Sequence, residues 1–410
     1  MSFTRDTCLE LDAADGLASI RDRFIVAEGE IYLDGNSLGH LPKAVASRVA
    51  RTVEQEWGRG LIRSWNEAGW YRAPQRAGAK IARLIGASPE EVIVTDSTSV
   101  NLFKVLSAAL RLRPERRKIL GLVGDFPTDS YIASGAALAG GAQFSRVEPD
   151  RLLSSIDEDV AVVSLTHVNF KTGFIHDMRE ITQAAHDKGA LIVWDLSHSA
   201  GALVLELNQV AADFAVGCCY KYLNGGPGAP AYVFVAKHHQ DQFRHSLSGW
   251  LGHQNPFAFS EDFVPAVGID RLLSGTPPIL SLVALDAALD VFDGVEMRAV
   301  REKSKALTSV FISLVDERLV RHGLQLASPR DASVRGAQVS LAHEQSYAIC
   351  QALIARGVIG DFRAPDLLRF GLAPLTTRFI DVFEAVAQLD QVMIERSWDT
   401  PAHKLRKDVT

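Results

Sequence analysis

The chain has 410 residues, of which 47% are hydrophobic and 22% charged, and its formal net charge is −6. A single hydrophobic core rarely grows beyond roughly 250–300 residues, so this length predicts two domains. The near-average composition argues against disorder, collagen and coiled coil. The mild negative charge argues against binding to nucleic acid or to an anionic membrane surface.

The cysteines and the N-terminus predict a cytoplasmic protein. Cys8, Cys218, Cys219 and Cys350 show no spacing typical of a disulfide framework or a zinc site, which indicates reduced thiols. No metal site is expected, and the twelve histidines are scattered along the chain. The first ten residues lack the apolar stretch of a secretory signal, and no apolar run is long enough to span a membrane.

Between about residues 85 and 240, short apolar runs alternate with stretches of helical periodicity. Strands are predicted at 92–95, 118–123, 161–165, 191–194, 211–217 and 231–236. Helices are predicted at 99–112, 128–140 and 177–188. Buried strands that alternate with helices are typical of α/β proteins with a mostly parallel sheet covered on both faces.

The rest of the chain has a different pattern. Residues 1–34 are predicted to form an N-terminal arm, residues 35–285 the large domain and residues 286–410 a smaller α+β domain. One long helix, 282–319, is predicted to join the two domains. Within the small domain the pattern predicts strands at 338–341 and 367–371 and helices at 344–356 and 380–395.

Polar residues follow the predicted strands at the edge where an open α/β sheet binds ligands. Asp195, with His198 after it, closes an apolar strand, where a buried carboxylate needs a cationic partner. A helix cap explains Asp195 equally well. Lys221 lies between an apolar strand and a glycine-rich turn, a partly desolvated place in which an amine can form a Schiff base.

A third group, near Thr98 and Ser99, lies at a predicted helix start. Its hydroxyls and free backbone amides suit a phosphate, although an ordinary helix cap also explains them. A phosphate cup, an aspartate and a lysine in this order along a parallel sheet are typical of a pyridoxal phosphate site. The motifs of nicotinamide and P-loop nucleotide sites are missing.

Longer segments distributed almost from end to end carry a family resemblance. They are 32–39, 62–66, 99–102, 126–129, 166–173, 194–201, 220–228, 247–250, 275–279 and 369–371. The segments at 36–39, around Trp65 and at 126–129 are the most specific. Together they resemble the kynureninases, and most closely the bacterial ones. These are pyridoxal phosphate enzymes of fold type I, the aspartate aminotransferase superfamily.

The resemblance implies an activity, a fold and an assembly. The expected reaction is hydrolysis of the Cβ–Cγ bond of L-kynurenine, and more weakly of 3-hydroxykynurenine, to anthranilate and L-alanine in tryptophan catabolism. The expected fold is the fold type I transferase fold, with a large sheet domain and a small α+β domain. The expected assembly is a homodimer whose active site is shared between the subunits.

The resemblance also assigns roles to individual residues. Lys221 bonds to the cofactor and removes the α-proton, Asp195 supports the pyridine nitrogen, and Tyr220 acts as acid and base. The remaining implied cofactor contacts are Thr98, Ser99 and Asp129 at the phosphate, Phe126, Thr166 and His198 at the ring, and Trp250 and Thr276 of the partner subunit. The implied substrate contacts are Arg369 at the α-carboxylate, Trp65 at the aromatic ring, and Asn36 and Ser37.

Two alternatives remain open at this point. The first is another fold type I lyase, such as a cysteine desulfurase or a selenocysteine lyase. Such an enzyme needs a mobile catalytic cysteine in the small domain, and Cys350 is the candidate there. The second is a non-catalytic homologue, which the loss of Lys221, Asp195 or Arg369 would favour.

Overall fold

We analysed a computed structural model, which describes residues 3–407. Residues 1–2 of the predicted arm and residues 408–410 of the predicted small domain lie outside the described residues. The α-helices are α1 Arg5–Ala13, α2 Lys43–Arg51, α3 Ser64–Glu67, α4 Ala73–Ile85, α5 Thr98–Leu112, α6 Pro127–Gly140, α7 Leu152–Ser155, α8 Met178–Asp187, α9 Lys237–Gln240, α10 Ile279–Ala288, α11 Met297–Arg318, α12 Ser346–Ile354, α13 Phe379–Glu395 and α14 Pro401–Lys404.

The strands form one large sheet and three smaller ones. They are β1 Phe24–Ile25, β2 Ile31–Tyr32, β3 Leu41–Pro42, β4 Val92–Val94, β5 Lys118–Leu122, β6 Gln143–Val147, β7 Val160–Thr166, β8 Leu191–Asp195, β9 Phe214–Gly217, β10 Tyr232–Val235, β11 Gln325–Leu326, β12 Gln338–Ala342, β13 Val358–Ile359, β14 Asp361–Arg363 and β15 Leu367–Gly371.

The large sheet has the strand order β4-β10-β9-β8-β7-β5-β6. Strand β10 runs antiparallel to both of its neighbours, and the pairings from β9 through β8, β7 and β5 to β6 are all parallel. Apolar clusters cover both faces, one around α5 and α6 and the other around α4, α8 and α10. The predicted fold class, a mostly parallel sheet between layers of helices, is confirmed.

Strand β6 was missed by the sequence prediction for a physical reason. It lies at the edge of the sheet, and all of its residues are partly or fully exposed. It therefore has none of the continuous apolar character that marks the buried strands.

The small domain consists of the antiparallel sheet β11-β12-β15-β14 packed against α11, α12 and α13. The N-terminal arm contributes to this domain. Cys8 of α1 and Leu33 are fully buried in its core, and β2 pairs in parallel with β13.

The predicted single helix 282–319 is wrong. Helix α10 ends at Ala288, a 3₁₀ turn follows, and Gly294 adopts a φ of 75° before α11 begins at Met297. A residue with a positive φ cannot continue a right-handed helix. Within α11, Val300 packs in the core of the large domain and Leu307 in the core of the small one. The two cores thus meet within α11, later in the chain than the expected boundary at 285.

Candidate active site

A cavity of about 290 Å³ opens at the carboxyl edge of the large sheet. All the predicted cofactor contacts except Trp250 and Thr276 line it. Its lining consists of Thr98, Ser99, Phe126, Thr128, Asp129, Thr166, Val168, Phe170, Asp195, Ser197, His198, Tyr220 and Lys221. Parallel strands place their carboxyl ends at one edge of a sheet, so residues far apart in sequence converge there.

Lys221 lies in the turn that follows β9. Its Nζ atom is 5.9 Å from the ring centroid of Phe126 and 5.9 Å from that of Tyr220. The N-terminal arm supports this turn, because the amide of Gly39 donates to the Tyr220 carbonyl at 2.8 Å. A Cβ atom at Gly39 would lie 2.3 Å from the Lys221 carbonyl oxygen, so only glycine fits this close approach.

Three carboxyl groups lie close together at this edge of the sheet. Asp195 closes β8, and Asp129 in the first turn of α6 is hydrogen-bonded to it. Burial and the neighbouring Asp195 raise the pKa of Asp129 well above its usual range. Asp125 accepts from the Thr166 hydroxyl at 2.6 Å, and burial raises the pKa of Asp125 to about 6.

A carboxylate in this buried cluster needs a cationic partner, and Lys221 already supplies one positive charge nearby. A protonated pyridine nitrogen is a cation of the required kind. The resemblance assigns Asp129 to the phosphate, and that contact stays a prediction. In the structure the carboxyl group of Asp129 adjoins Asp195, the residue expected at the ring nitrogen.

The other end of the cavity suits a phosphate. Helix α5 has fifteen residues, Ser97 caps its start, and Thr98 and Ser99 present their hydroxyls to the cavity. The first amides of a helix of this length have no partner within the helix and carry partial positive charge. Thr128 adds a further hydroxyl in the first turn of α6. The residues present therefore fit both ends of pyridoxal phosphate.

His198 links the cavity to the small domain. Its Nδ1 atom is 3.2 Å from Gln338 Oε1, and Gln338 Nε2 donates to the Phe170 carbonyl at 3.0 Å. Burial, together with the positive charges of Lys221 and Arg369, lowers the pKa of His198 well below its usual range. The ring is therefore neutral and interacts as a hydrogen-bonding group.

Arg369 is only 2% exposed and is held on three sides. It donates to Asp361 Oδ1 at 2.9 Å, to the Phe170 carbonyl at 2.7 Å and to Ser37 Oγ at 3.0 Å. Asp361 lies directly across from Arg369 in the pairing of β14 with β15. Burial acts in the opposite direction, but the hydrogen bond from Arg369 and its charge hold the pKa of Asp361 below its usual range.

The predicted substrate residues lie in two places. Asn36 and Ser37 lie beside Arg369, where Asn36 is fully buried and donates to Gln338 Oε1 at 3.3 Å. Trp65 is half-buried and packs edge-on against Trp70, with ring centroids 6.2 Å apart. The cavity lining in the described chain includes none of the predicted substrate contacts and neither Trp250 nor Thr276, and the last two residues are exposed.

Sequence reasoning missed Asp125, Gln338 and Asp361. Asp125 directly precedes the segment 126–129, which carries part of the family resemblance, so its position could have predicted that it lies near the site. Gln338 and Asp361 reach the site through antiparallel pairing within the small domain. No local sequence pattern predicts that Gln338 or Asp361 is buried beside the candidate site.

Comparison with known proteins adds to this geometry. The family described as "Kynureninase C-terminal domain" matches residues 300–389. The kynureninase of Pseudomonas fluorescens is 50% identical, over 99% of this chain and 100% of the relative. That of Burkholderia pseudomallei is 49% identical over the same shares. The chain belongs to the kynureninase family.

Solved structures of other enzymes share the fold. The cysteine desulfurase CsdA of Escherichia coli superposes with a TM-score of 0.78 at 18% identity, covering 93% of this chain and 99% of that one. A cysteine desulfurase of Thermococcus onnurineus gives 0.77 at 19%, covering 92% and 97%. At this identity the likeness concerns the fold alone, whereas the kynureninase relatives match over the full length of both chains.

The desulfurase alternative is not favoured. Cys350 is 1% exposed within α12, and burial raises the pKa of its thiol to about 12. A catalytic cysteine acts as a thiolate on an accessible loop.

Among residues 3–407, no helix is long and apolar enough to cross a membrane.

Proposed function

We propose that the protein hydrolyses the Cβ–Cγ bond of L-kynurenine with pyridoxal phosphate as cofactor, releasing anthranilate and L-alanine, and that it cleaves 3-hydroxykynurenine more weakly. The observation that carries this proposal is the cavity in which Lys221, the Asp195–Asp129 pair and the start of α5 converge. The full-length similarity to kynureninases selects this reaction among those of the fold.

The cofactor would be held along the length of the cavity. Thr98, Ser99 and Thr128 would bind the phosphate, with the first amides of α5. Asp195, with Asp129 beside it, would face the pyridine nitrogen, and Phe126 would cover one face of the ring. Thr166 and His198 would contact the ring substituents. When bound, pyridoxal phosphate supplies an electron sink for the carbanion that forms at the substrate α-carbon.

Lys221 and Tyr220 would move the protons. The Lys221 amine lies between the rings of Phe126 and Tyr220, where it can take the proton from the substrate α-carbon. The adjacent Cys218 and burial raise the pKa of Tyr220, which keeps its hydroxyl protonated. A protonated hydroxyl suits a group that supports the hydrated ketone and then protonates Cβ of the alanine product.

Arg369 would bind the α-carboxylate of the substrate, since a guanidinium matches a carboxylate in a bidentate way. Asp361 and Ser37 already orient it. Asn36 lies in the same group, and Trp65 would face the aromatic ring of the substrate. The protein thus recognises a small zwitterionic molecule through one buried arginine.

The protein would act as a homodimer in the cytoplasm. Trp250 and Thr276 are exposed in the single chain, and the exposed apolar side chains of Trp57, Leu61 and Ile62 offer a surface for a second copy. In the dimer, Trp250 and Thr276 of the partner subunit would complete the phosphate site.

A hybrid dimer tests the sharing of the site. We expect Lys221→Ala and Trp250→Ala subunits to be poorly active as separate homodimers. When the subunits are mixed and re-associated, one of the two hybrid sites carries neither defect, so activity returns in part. No recovery in a preparation shown to contain hybrids would contradict the shared site.

Anthranilate is fluorescent, so the main test is direct. Purified yellow enzyme should release anthranilate from L-kynurenine and form L-alanine in equal amount. A yellow enzyme that yields no anthranilate but releases sulfide or selenide from cysteine or selenocysteine would overturn the proposed reaction. A yellow enzyme that acts on none of these substrates would support a non-catalytic homologue.

A further inference from the structure

A cluster of histidines surrounds one buried aspartate on the side of the large sheet away from the active site. Asp213 is 2% exposed and directly precedes β9. His186 lies near the end of α8, and His238 and His239 lie in α9. These residues are scattered in sequence, and the fold brings them together at one place.

The distances within the cluster are short. His239 Nε2 is 2.6 Å from Asp213 Oδ1, and His186 Nε2 is 2.8 Å from Asp213 Oδ2. The rings of His238 and His239 have centroids 4.0 Å apart. Ligand atoms of Asp213, His238 and His239 all lie within 4.8 Å of one another. Two imidazoles and a carboxylate therefore lie close enough together to hold one ion.

Neighbouring groups hold the ligands in place. The Ile192 amide donates to Asp213 Oδ2 at 2.9 Å, which orients the carboxylate. The ring of His239 stacks on Phe214, with centroids 5.1 Å apart and an interplanar angle of 27°. His238 is exposed, so an ion can reach the cluster from solvent. Such supporting contacts are typical of metal ligands, whose own orientation must be fixed.

From this geometry we propose that Asp213, His238 and His239 bind one divalent transition-metal ion, while His186 remains hydrogen-bonded to the second carboxylate oxygen of Asp213. Imidazole nitrogen with carboxylate oxygen suits Zn²⁺ and similar first-row ions. In tetrahedral zinc sites, bonds of about 2.0–2.2 Å place neighbouring ligand atoms about 3.3 Å apart. The His239–Asp213 pair at 2.6 Å needs to open by less than 1 Å, and the remaining ligand atoms, all within 4.8 Å of one another, need to approach by up to about 1.5 Å.

The chemical balance of binding is simple. In the metal-free cluster the imidazole N–H groups of His186 and His239 are placed to donate to the carboxylate. On binding, each ligating imidazole offers a lone pair in place of its N–H, and any proton from a charged ring is released to solvent. The ion would join α9 to the amino end of β9, whereas Lys221 follows the carboxyl end of that strand.

The test uses the holoenzyme without a histidine tag, freed of metal with a chelator that is then removed. Zn²⁺ binding is measured by isothermal titration calorimetry and by equilibrium dialysis with metal analysis. We expect one saturable equivalent per chain and a rise in melting temperature. Anthranilate release should be unchanged, since the cluster lies away from the cavity.

His238→Ala is the decisive variant, because His238 is exposed and makes no hydrogen bond within the described residues. It should fold normally yet bind Zn²⁺ roughly tenfold or more weakly. Asp213→Asn should abolish the saturable site. The matched control is His322→Ala, since His322 pairs with Asp390 at 3.1 Å without other histidines and should not affect binding.

Other results would overturn the proposal. If wild-type protein shows no saturable equivalent, the cluster is a charge-paired group and nothing more. If His238→Ala and Asp213→Asn both bind Zn²⁺ like the wild type, the ion binds elsewhere in the chain. Either result leaves the proposed hydrolysis of kynurenine untouched, because that activity is measured separately.

Discussion

The two ends of the active site differ in how their charges are balanced. At the cofactor end, Asp129 and Asp195 lie against each other, and no guanidinium is bonded to either of them among the described residues. At the substrate end, Arg369 is paired with Asp361 and bonded on every side. The first end thus holds carboxyl groups with Lys221 as the nearby cation, whereas the second holds two arginines, Arg369 and Arg363, around Asp361.

This contrast indicates different ways of gaining affinity. At the cofactor end, a cationic ring nitrogen would attract the carboxylate of Asp195, while the raised pKa of Asp129 keeps the neighbouring carboxyl group protonated. At the substrate end, an incoming carboxylate must share a guanidinium that already has an anionic partner. The cost of sharing the guanidinium is offset by the fixed orientation of Arg369, because its side chain loses no further conformational freedom when the substrate binds.

The largest effect is expected from removing the lysine at the cofactor end. Lys221→Ala should lower kcat roughly a thousandfold or more, since both the covalent attachment and the proton acceptor are lost. Anthranilate fluorescence measures the rate, and loss of the yellow colour reports the attachment. Lys118→Ala, which removes a lysine paired with Asp157 far from the cavity, should leave both unchanged.

Substituting Asp195 and Asp129 by asparagine should lower kcat by different amounts. Asp195→Asn should lower kcat by roughly a hundredfold to a thousandfold, because an amide cannot stabilise a cationic ring nitrogen. Asp129 has a raised pKa and so resembles an amide already, and Asp129→Asn should cost only about tenfold. Equal losses in the two variants would contradict these separate roles.

At the substrate end, Asp361→Asn should raise the KM for L-kynurenine by about tenfold with little change in kcat. Arg369 would lose the partner that orients it before substrate binds. Steady-state kinetics separates the two constants. A lower KM would show instead that Asp361 competes with the substrate, and Asp316→Asn, on a surface pair with Arg330, should have no effect.

The smallest effect concerns Asp125 in the cofactor-free protein. Its pKa is about 6 when folded, above the value of about 3.9 expected when unfolded. The folded state then binds more protons between these values, so this group makes stability fall as pH rises through that window. Asp125→Asn should remove the fall, gaining about 1 kcal/mol over wild type between about pH 4 and about pH 7 in urea unfolding.

Asp157→Asn provides the opposite case. The hydrogen bond from Lys118 lowers the pKa of Asp157, so its contribution to stability is present at higher pH and is lost as the pH falls. The variant should therefore weaken relative to wild type as the pH rises. If both variants shifted in the same direction, the assignment for Asp125 would be wrong.

The residues that line the cavity at the cofactor end could be predicted to converge because their positions are encoded locally. Asp195 and Lys221 each follow a buried apolar run, and parallel strands bring such positions to one edge. At the substrate end, Arg369 was found only by resemblance, and Asp361 was not found at all. Their proximity depends on the register between β14 and β15, which no periodicity in the chain reveals. The break in the predicted helix 282–319 could not be predicted for a similar reason, since Gly294 interrupts the helix only because its backbone adopts a positive φ.

The N-terminal segment couples the two domains mechanically. Leu33 is anchored to the small domain through hydrogen bonds with Ile359 and Gly371, and Gly39 is anchored to the large domain at Tyr220. A rotation of one domain against the other would therefore change the backbone between residues 34 and 38. Asn36 and Ser37 lie in this stretch and bond to Gln338 and Asp361 of the small domain. Domain closure would thus carry two of the proposed substrate contacts along with the small domain.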